Sequence, residues 1–309
     1  MSVKVIRIAT RESPLALWQA EHVRNELKKL YPDLAVEIIG IKTQGDIILD
    51  TPLSAVGGKG LFIKELEQTL LDNTADIAVH SMKDVTIDLP AGLELPVIMK
   101  REDHRDVFIS NRFGSIDKLP QGARVGTSSL RRQSQLRAFR PDLAVTNLRG
   151  NVGTRLRKLD ENEFDGIILA AAGVSRLKLE ERVREYISGD IMISAVGQGA
   201  IGIETRLGDD RVINLLAPLR DAETTIQLQA ERAFSRRLYG GCQLPIAAYA
   251  ELRGDKIFLS GMVGSVDGKR IIKDFITGET DQAEALGTSL AENLLDNGAD
   301  KILQELIHA

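Results

Sequence analysis

Two rounds of one alternation constrain this chain most: a run rich in β-branched residues, a run of helical period, then another apolar run. In the first round "VKVIRIA" reads as a strand, and "LALWQAEHVRNELKKL", behind Pro14, carries apolar residues at helical spacing. "AVEIIGI" is a second strand, "LFIKELEQTLLDN" a second helix and "ADIAVHS" a third strand. Such a β-α-β-α-β order predicts a largely parallel sheet covered by helices. The pattern restarts after Asp106 with "DVFIS", "ARVGTSS", a helix through "LRRQSQLRAF", "LAVTNLRG", a helix through "VGTRLRKLDE", and "FDGIILAAAG". The string "PDLAV" stands at residues 32–36 and again at 141–145, each time between a helix and a strand, a weak sign of duplication.

The glycine-rich "ISAVGQGAIGIETR" is suited to return the chain to the first unit. Beyond it "ETTIQLQAERAFSRRLYGG" is a helix ended by Gly240 and Gly241, glycine tolerating the left-handed geometry of a helix C-terminus. "PIAAYAELR", "KIFLSGMVG" and "RIIKDFIT" then read as an antiparallel meander, and a last helix covers "DQAEALGTSLAENLLDN". This third unit is small and of α+β type. At 309 residues the chain has room for such a division.

Hydrophobic residues at 43% and charged ones at 27% are the balance of a soluble globular protein. Lys4, Arg7, Arg11 and Glu12 interrupt any apolar core of a secretory signal, and no run approaches the ~18 uncharged apolar residues of a membrane span. The reading is a cytoplasmic protein with no membrane partner. The net charge of −4 argues against a polyanion binder, yet the average conceals residues 121–158, where nine cations, eight of them arginine, face Asp142 alone. That segment carries +8 and leaves −12 for the rest.

Three stretches are candidates for chemistry. Cys242, the single cysteine, follows two glycines and precedes Pro245, in an irregular loop between helix and strand. A lone intracellular cysteine is most often a buried small hydrophobe; in such a loop it is also placed to act as a nucleophile, given a base, or as the anchor of a prosthetic group. The arginine segment reads as a solvated face, as a nucleic-acid site, or as the seat of a small polycarboxylate or phosphate. The second reading lacks lysines and aromatic platforms, Phe139 being the sole aromatic. The third is favoured because "GTSSLRR" and "NLRGNVGTR" each join a strand to a helix, where backbone amides and the guanidinium fork meet an anion together. In "ADIAVHSMKDV", Lys83 and Asp84 fall just past a buried strand, and Arg11 lies at the matching strand end of the first round. Asp84 is there placed to take or steady a proton if that edge lines a cleft. "SAVGGKGLF" lacks the spacing of a phosphate loop; its glycines, with Lys59 and Phe62, suit a mobile lid. No Cys, His and carboxylate spacing suggests a metal.

The stretches "IATRESPLALWQA", "HSMKDV", "VGTSSLRRQSQL", "NLRGNVGTRLRKL", "SAVGQGAIGIE" and "ERAFSRRLYGGCQLPIAAYA" together resemble the porphobilinogen deaminases, also called hydroxymethylbilane synthases. The likeness runs from the first strand to the final helix. It implies two α/β domains like those of periplasmic binding proteins around a cleft, with a small α+β domain bearing a three-stranded antiparallel sheet. The units are placed at 1–100 with 198–219, at 101–197 and at 220–309. It also implies a dipyrromethane cofactor, joined through a thioether to Cys242. On that cofactor four porphobilinogens are condensed with loss of ammonia, and hydrolysis releases 1-hydroxymethylbilane. By the same resemblance Asp84 is the catalytic carboxylate. Ser81, Lys83, Asp84 itself, Thr127, Ser129, Arg131, Arg132, Arg155 and Gln198 are cofactor contacts, while Arg11, Arg149 and Arg176 bind substrate or chain carboxylates. Lys59 and Phe62 belong to a mobile loop, and a monomer is expected. Two other readings compete: a non-catalytic two-lobed binding protein for an anionic metabolite, and a nucleic-acid binder working through the arginine segment.

Overall fold

The computed structural model describes residues 4–47, 60–238 and 244–307. The first round folds as β1 (Val5–Arg11), α1 (Pro14–Leu30), β2 (Ala35–Ile41), a short α2 (Gln44–Ile47), α3 (Lys64–Leu71), β3 (Ile77–Ser81) and β4 (Leu93–Ile98). The second comprises β5 (Asp106–Ile109), β6 (Arg124–Gly126), α4 (Leu130–Phe139), β7 (Ala144–Thr146), α5 (Val152–Asp160), β8 (Gly166–Ala170), α6 (Ala171–Arg176) and β9 (Val183–Tyr186). The chain then returns through β10 (Ile201–Arg206) and α7 (Asp210–Leu216).

Helix starts follow local chemistry. Ser13, Ser129 and Asn151 cap α1, α4 and α5 by accepting from the amides of Ala16, Arg132 and Thr154, each satisfying a donor that the helix leaves unpaired. One sequence expectation was too long. "FDGIILAAAG" is strand only to Ala170, and its Ala-rich end turns into α6, as the helix preference of alanine favours.

The two sheets share one strand order, β2-β1-β3-β10-β4 and β7-β6-β8-β5-β9. In each, the strand beside the third parallel strand runs against its neighbours: β10 pairs antiparallel with β3 and β4, and β5 with β8 and β9. Residues 32–36 lead into β2 and residues 141–145 into β7, so the two "PDLAV" strings occupy equivalent places. Ile6, Ile8 and Val23 pack on one face of the first sheet and Leu66, Leu70 and Ala78 on the other. Phe108, Val125 and Leu136 do the same for one face of the second sheet, Ile109, Ile167 and Leu169 for its other face.

The third unit begins with α8 (Ala222–Arg237), continues as a meander of β11 (Ile246–Arg253), β12 (Lys256–Gly264) and β13 (Ile271–Glu279), and ends with α9 (Ala283–Leu294) and α10 (Asp300–Ile307). Phe234, Leu259, Leu290 and Leu294 are fully buried at its centre. Gly287 lets α9 lie against the α8 backbone, because a Cβ there would stand 2.2 Å from the Ala230 carbonyl oxygen. Both crossings between the first two units are tied to α8 through Glu231. Its carboxylate pairs with Arg101 at 2.5 Å and accepts the Gly197 amide at 2.8 Å and the Ala250 amide at 2.9 Å. Among the described residues no helix is long and apolar enough to cross a membrane.

Candidate active site

The residues singled out by sequence gather at the carboxyl ends of the parallel strands, where an open α/β sheet leaves a crevice. β3 ends at Ser81 and passes directly into a 3-10 turn, Met82–Asp84, which presents half-buried Lys83 and Asp84. Met82 is fully buried beneath the turn and fixes it to the core. Behind it, Gln19 of α1, 2% exposed, donates to Ser81 Oγ at 2.8 Å.

The second unit faces this turn with the starts of α4 and α5. Burial, first of all, pushes the Lys83 ammonium below its ordinary range. Arg132 and Arg155 push the same way, against the pull of Asp84 and Asp106. Burial likewise lowers Arg155 to about 10, with Arg132 and Arg149 adding to the effect and Asp84 opposing it. Lys83, Asp84, Arg132, Arg149 and Arg155, drawn from both units, therefore lie within electrostatic reach of one another. Four cations against the two carboxylates of Asp84 and Asp106 leave an excess that suits a ligand bringing negative charge.

The arginine segment is not one anion cradle, and here the charge count misled. Arg131 and Arg132 are buried, and both grip Asp106: Arg131 Nη1 at 2.7 Å and Arg132 Nη2 at 2.7 Å. They also donate to the Ile193 and Ile168 carbonyls. Burial alone would raise the Asp106 carboxyl, but the two guanidiniums hold it far below the usual carboxylate range. Gln198 joins this knot, its Nε2 donating to Asp106 Oδ1 at 3.0 Å and to the His104 carbonyl at 2.7 Å. Arg140 pairs with Asp142 and Arg157 with Glu161, while Arg137 donates to the carbonyls of Val145 and Val266. Five of the nine cations are thus engaged inside the protein, although only Asp106 and Glu161 offset the +8.

The other predicted residues divide. Thr127 and Ser129 shape the β6–α4 turn, Thr127 Oγ1 accepting the Ser129 amide at 3.3 Å. Arg11 pairs with Asp46 and lies 4.2 Å over the Phe62 ring, so the expected lid residue Phe62 does meet the first strand end. Arg176 is 5% exposed and spans the two crossings, with Nε 3.2 Å from Glu102 and Nη2 2.8 Å from the Gly199 carbonyl, beside Trp18. Cys242 and Lys59 lie outside the described residues. Asp106, Asp46, Gln19 and Trp18 were not anticipated; a buried acid opening a strand next to an arginine-rich segment was the available signal for Asp106.

A family model described as "Porphobilinogen deaminase, dipyromethane cofactor binding domain" matches residues 6–214, and one for the "Porphobilinogen deaminase, C-terminal domain" matches residues 225–296. The chain belongs to the porphobilinogen deaminase family. Among solved structures, the methionine-binding protein MetQ is 14% identical at a TM-score of 0.45, covering 72% of this chain and 92% of its own. A nutrient-binding protein of Burkholderia cenocepacia bound to methionine is 13% identical at 0.44, covering 69% and 90%. The aliphatic sulphonate-binding protein SsuA of Escherichia coli is 15% identical at 0.41, covering 76% and 70%. As in other porphobilinogen deaminases, the domain at residues 6–214 binds a dipyrromethane cofactor. The donor set fits such a group. Lys83 and Arg155 offer cations to carboxylates, and Arg131 Nε and Gln198 Oε1 are buried with no hydrogen-bond partner among the described residues.

Proposed function

We propose that this porphobilinogen deaminase is a hydroxymethylbilane synthase, a transferase of tetrapyrrole biosynthesis. It condenses four porphobilinogens head to tail, each with loss of ammonia, then releases 1-hydroxymethylbilane by hydrolysis. The observation that carries this reading is the grouping of Lys83 and Asp84 with Arg132, Arg149 and Arg155 across the cleft.

The dipyrromethane, held by a thioether to Cys242, supplies the free α-carbon on which the chain starts. The protein's own groups do the rest. Asp84, on a turn held by buried Met82, accepts from pyrrole nitrogens and steadies the positive charge that develops as ammonia leaves. Lys83 and Arg155 hold acetate and propionate groups by charge-assisted hydrogen bonds, and Arg149 and Arg11 take those of the incoming pyrrole and the growing chain. Arg131, Arg132 and Gln198 act through the Asp106 knot, which keeps the α4 start rigid against the cofactor; Thr127 and Ser129 line the same wall, and Ser81 the opposite one. Arg176 works at the crossings, and Lys59 and Phe62 close the cleft. The enzyme is cytoplasmic and monomeric, with units at 1–100 plus 198–219, 101–197 and 220–309.

Intact mass spectrometry tests this. The expected result is a discrete excess equal to one dipyrromethane, abolished by Cys242→Ala, with stepwise gains when porphobilinogen is added. A protein of unmodified mass that gains nothing from porphobilinogen would return the fold to a binding protein for an anionic metabolite.

A further inference from the structure

A second concavity lies between the loop that follows Asp84 and the flank of α8, and the proposed reaction uses none of its residues. It encloses about 590 Å³, and its floor is apolar: Leu89, Leu95, Ile98 and Leu228. Ile98 and Leu228 belong to the small core that also holds Met82, so the floor is rigid. The rim is cationic, with Arg220, Arg232 and Arg236 all lining it. A shallower extension of about 260 Å³ continues past Arg236 to Arg237 and Thr288.

The placement of these arginines is costly without an anion. Arg232 and Arg236 lie four residues apart on one face of α8, where like charges repel. Burial first, then the charge of Arg236, lowers Arg232 to about 10, with Asp88 opposing. Asp88 offsets little, since its side chain is 82% exposed and stands 3.9 Å from Arg236. Among the described residues Glu284 is the one other acid on the rim. Arg232 is held in place by donating Nη2 to the carbonyls of Thr86 at 2.7 Å and Ile87 at 2.9 Å. A fixed cation beside an apolar floor, with two exposed arginines at the mouth, complements a molecule with an apolar body and an oxyanion. The guanidinium fork suits carboxylate or sulfonate.

We propose that this groove is a binding site for an amphipathic organic anion, an apolar ring system bearing an oxyanion, separate from the catalytic cleft. An occupant rests on both α8 and the loop leading out of Asp84, and so bridges the first and third units.

The test uses the full-length, cofactor-loaded protein and two probes, 8-anilinonaphthalene-1-sulfonate and its uncharged analogue N-phenyl-1-naphthylamine, titrated by fluorescence at low salt. Saturable one-site binding of the sulfonate is expected, about tenfold or more weaker after Arg220→Glu with Arg236→Glu, two exposed residues outside the catalytic machinery. Turnover of porphobilinogen by that variant stays unchanged, and porphobilinogen does not displace the probe. Absence of saturable binding, an affinity indifferent to the two substitutions, equal binding of the uncharged analogue, or displacement by porphobilinogen would each overturn the proposal.

Discussion

The two α/β units are one frame filled in two ways, and the difference locates the chemistry. Ser81 of β3 pairs with Ile201 of β10, and at the matching place Ala170 of β8 pairs with Asp106 of β5. Three residues along, Glu204 faces Ala78 in the first sheet where Ile109 faces Ile167 in the second. Each unit therefore buries one acid on its antiparallel strand, at opposite ends. In the second unit the acid stands at the cleft end and captures Arg131 and Arg132. In the first it lies deep under α3, where Glu204 Oε2 is 2.9 Å from His80 Nε2 and Glu67 of α3 lies nearby. The corresponding face of the second sheet packs apolar residues, Ile109, Leu156, Ile167 and Leu169, in that place. The cleft end of the first unit is thereby left to Lys83 and Asp84, whose neighbours are the cations of the opposite wall. A shared strand order fixes where groups are presented; the placement of one acid decides whether they serve the fold or a ligand.

The largest expected break in this comparison is Asp106→Ala. It leaves two buried guanidiniums uncompensated and should cost about 3–5 kcal/mol in urea unfolding. Its pH dependence has a definite sign. The folded carboxyl lies below its unfolded value, so its stabilisation is complete above about pH 4 and fades as pH falls through the folded value, a slope the variant lacks. Asp84→Asn should separate the units in the other sense, with kcat falling roughly 100- to 1,000-fold while the unfolding midpoint holds. A parallel loss of rate and stability would make Asp84 a structural residue.

The buried acids of the first unit give a smaller effect of opposite pH sign. Burial first, then the charge of Glu204, raises Glu67 to about 7, so the folded state holds a proton that the unfolded chain has released. Stability should decline on the order of 1–3 kcal/mol as pH rises from about 4.5 to 7, and Glu67→Gln should flatten that slope in denaturant titrations. Least of all, Gln19→Leu removes the donor to Ser81 Oγ; about 1 kcal/mol is at stake, seen as a few-fold change in kcat/KM with little change in unfolding.

Much of this was legible in order along the chain. The β-branched runs became β1, β2 and β3 within a residue or two, Pro14 opens α1, and the meander appeared as read. The turn bearing Lys83 and Asp84 was legible too, because it follows a buried strand. β4 and β9 were not read, and the antiparallel insertion of β10 was visible only as a return of the chain. The arginine segment was seen as a group but not divided into its parts.

The alternation of strand and helix depends on contacts within a few residues, so the sequence alone determined it, and the motifs along it pointed to the family. Which cations remain for a ligand depends on partners 25 to 130 positions away, such as Asp106 for Arg131 and Glu231 for Arg101. Charges interact through space and burial, not along the chain, so only the tertiary structure decided which arginines hold the protein together and which face the cleft.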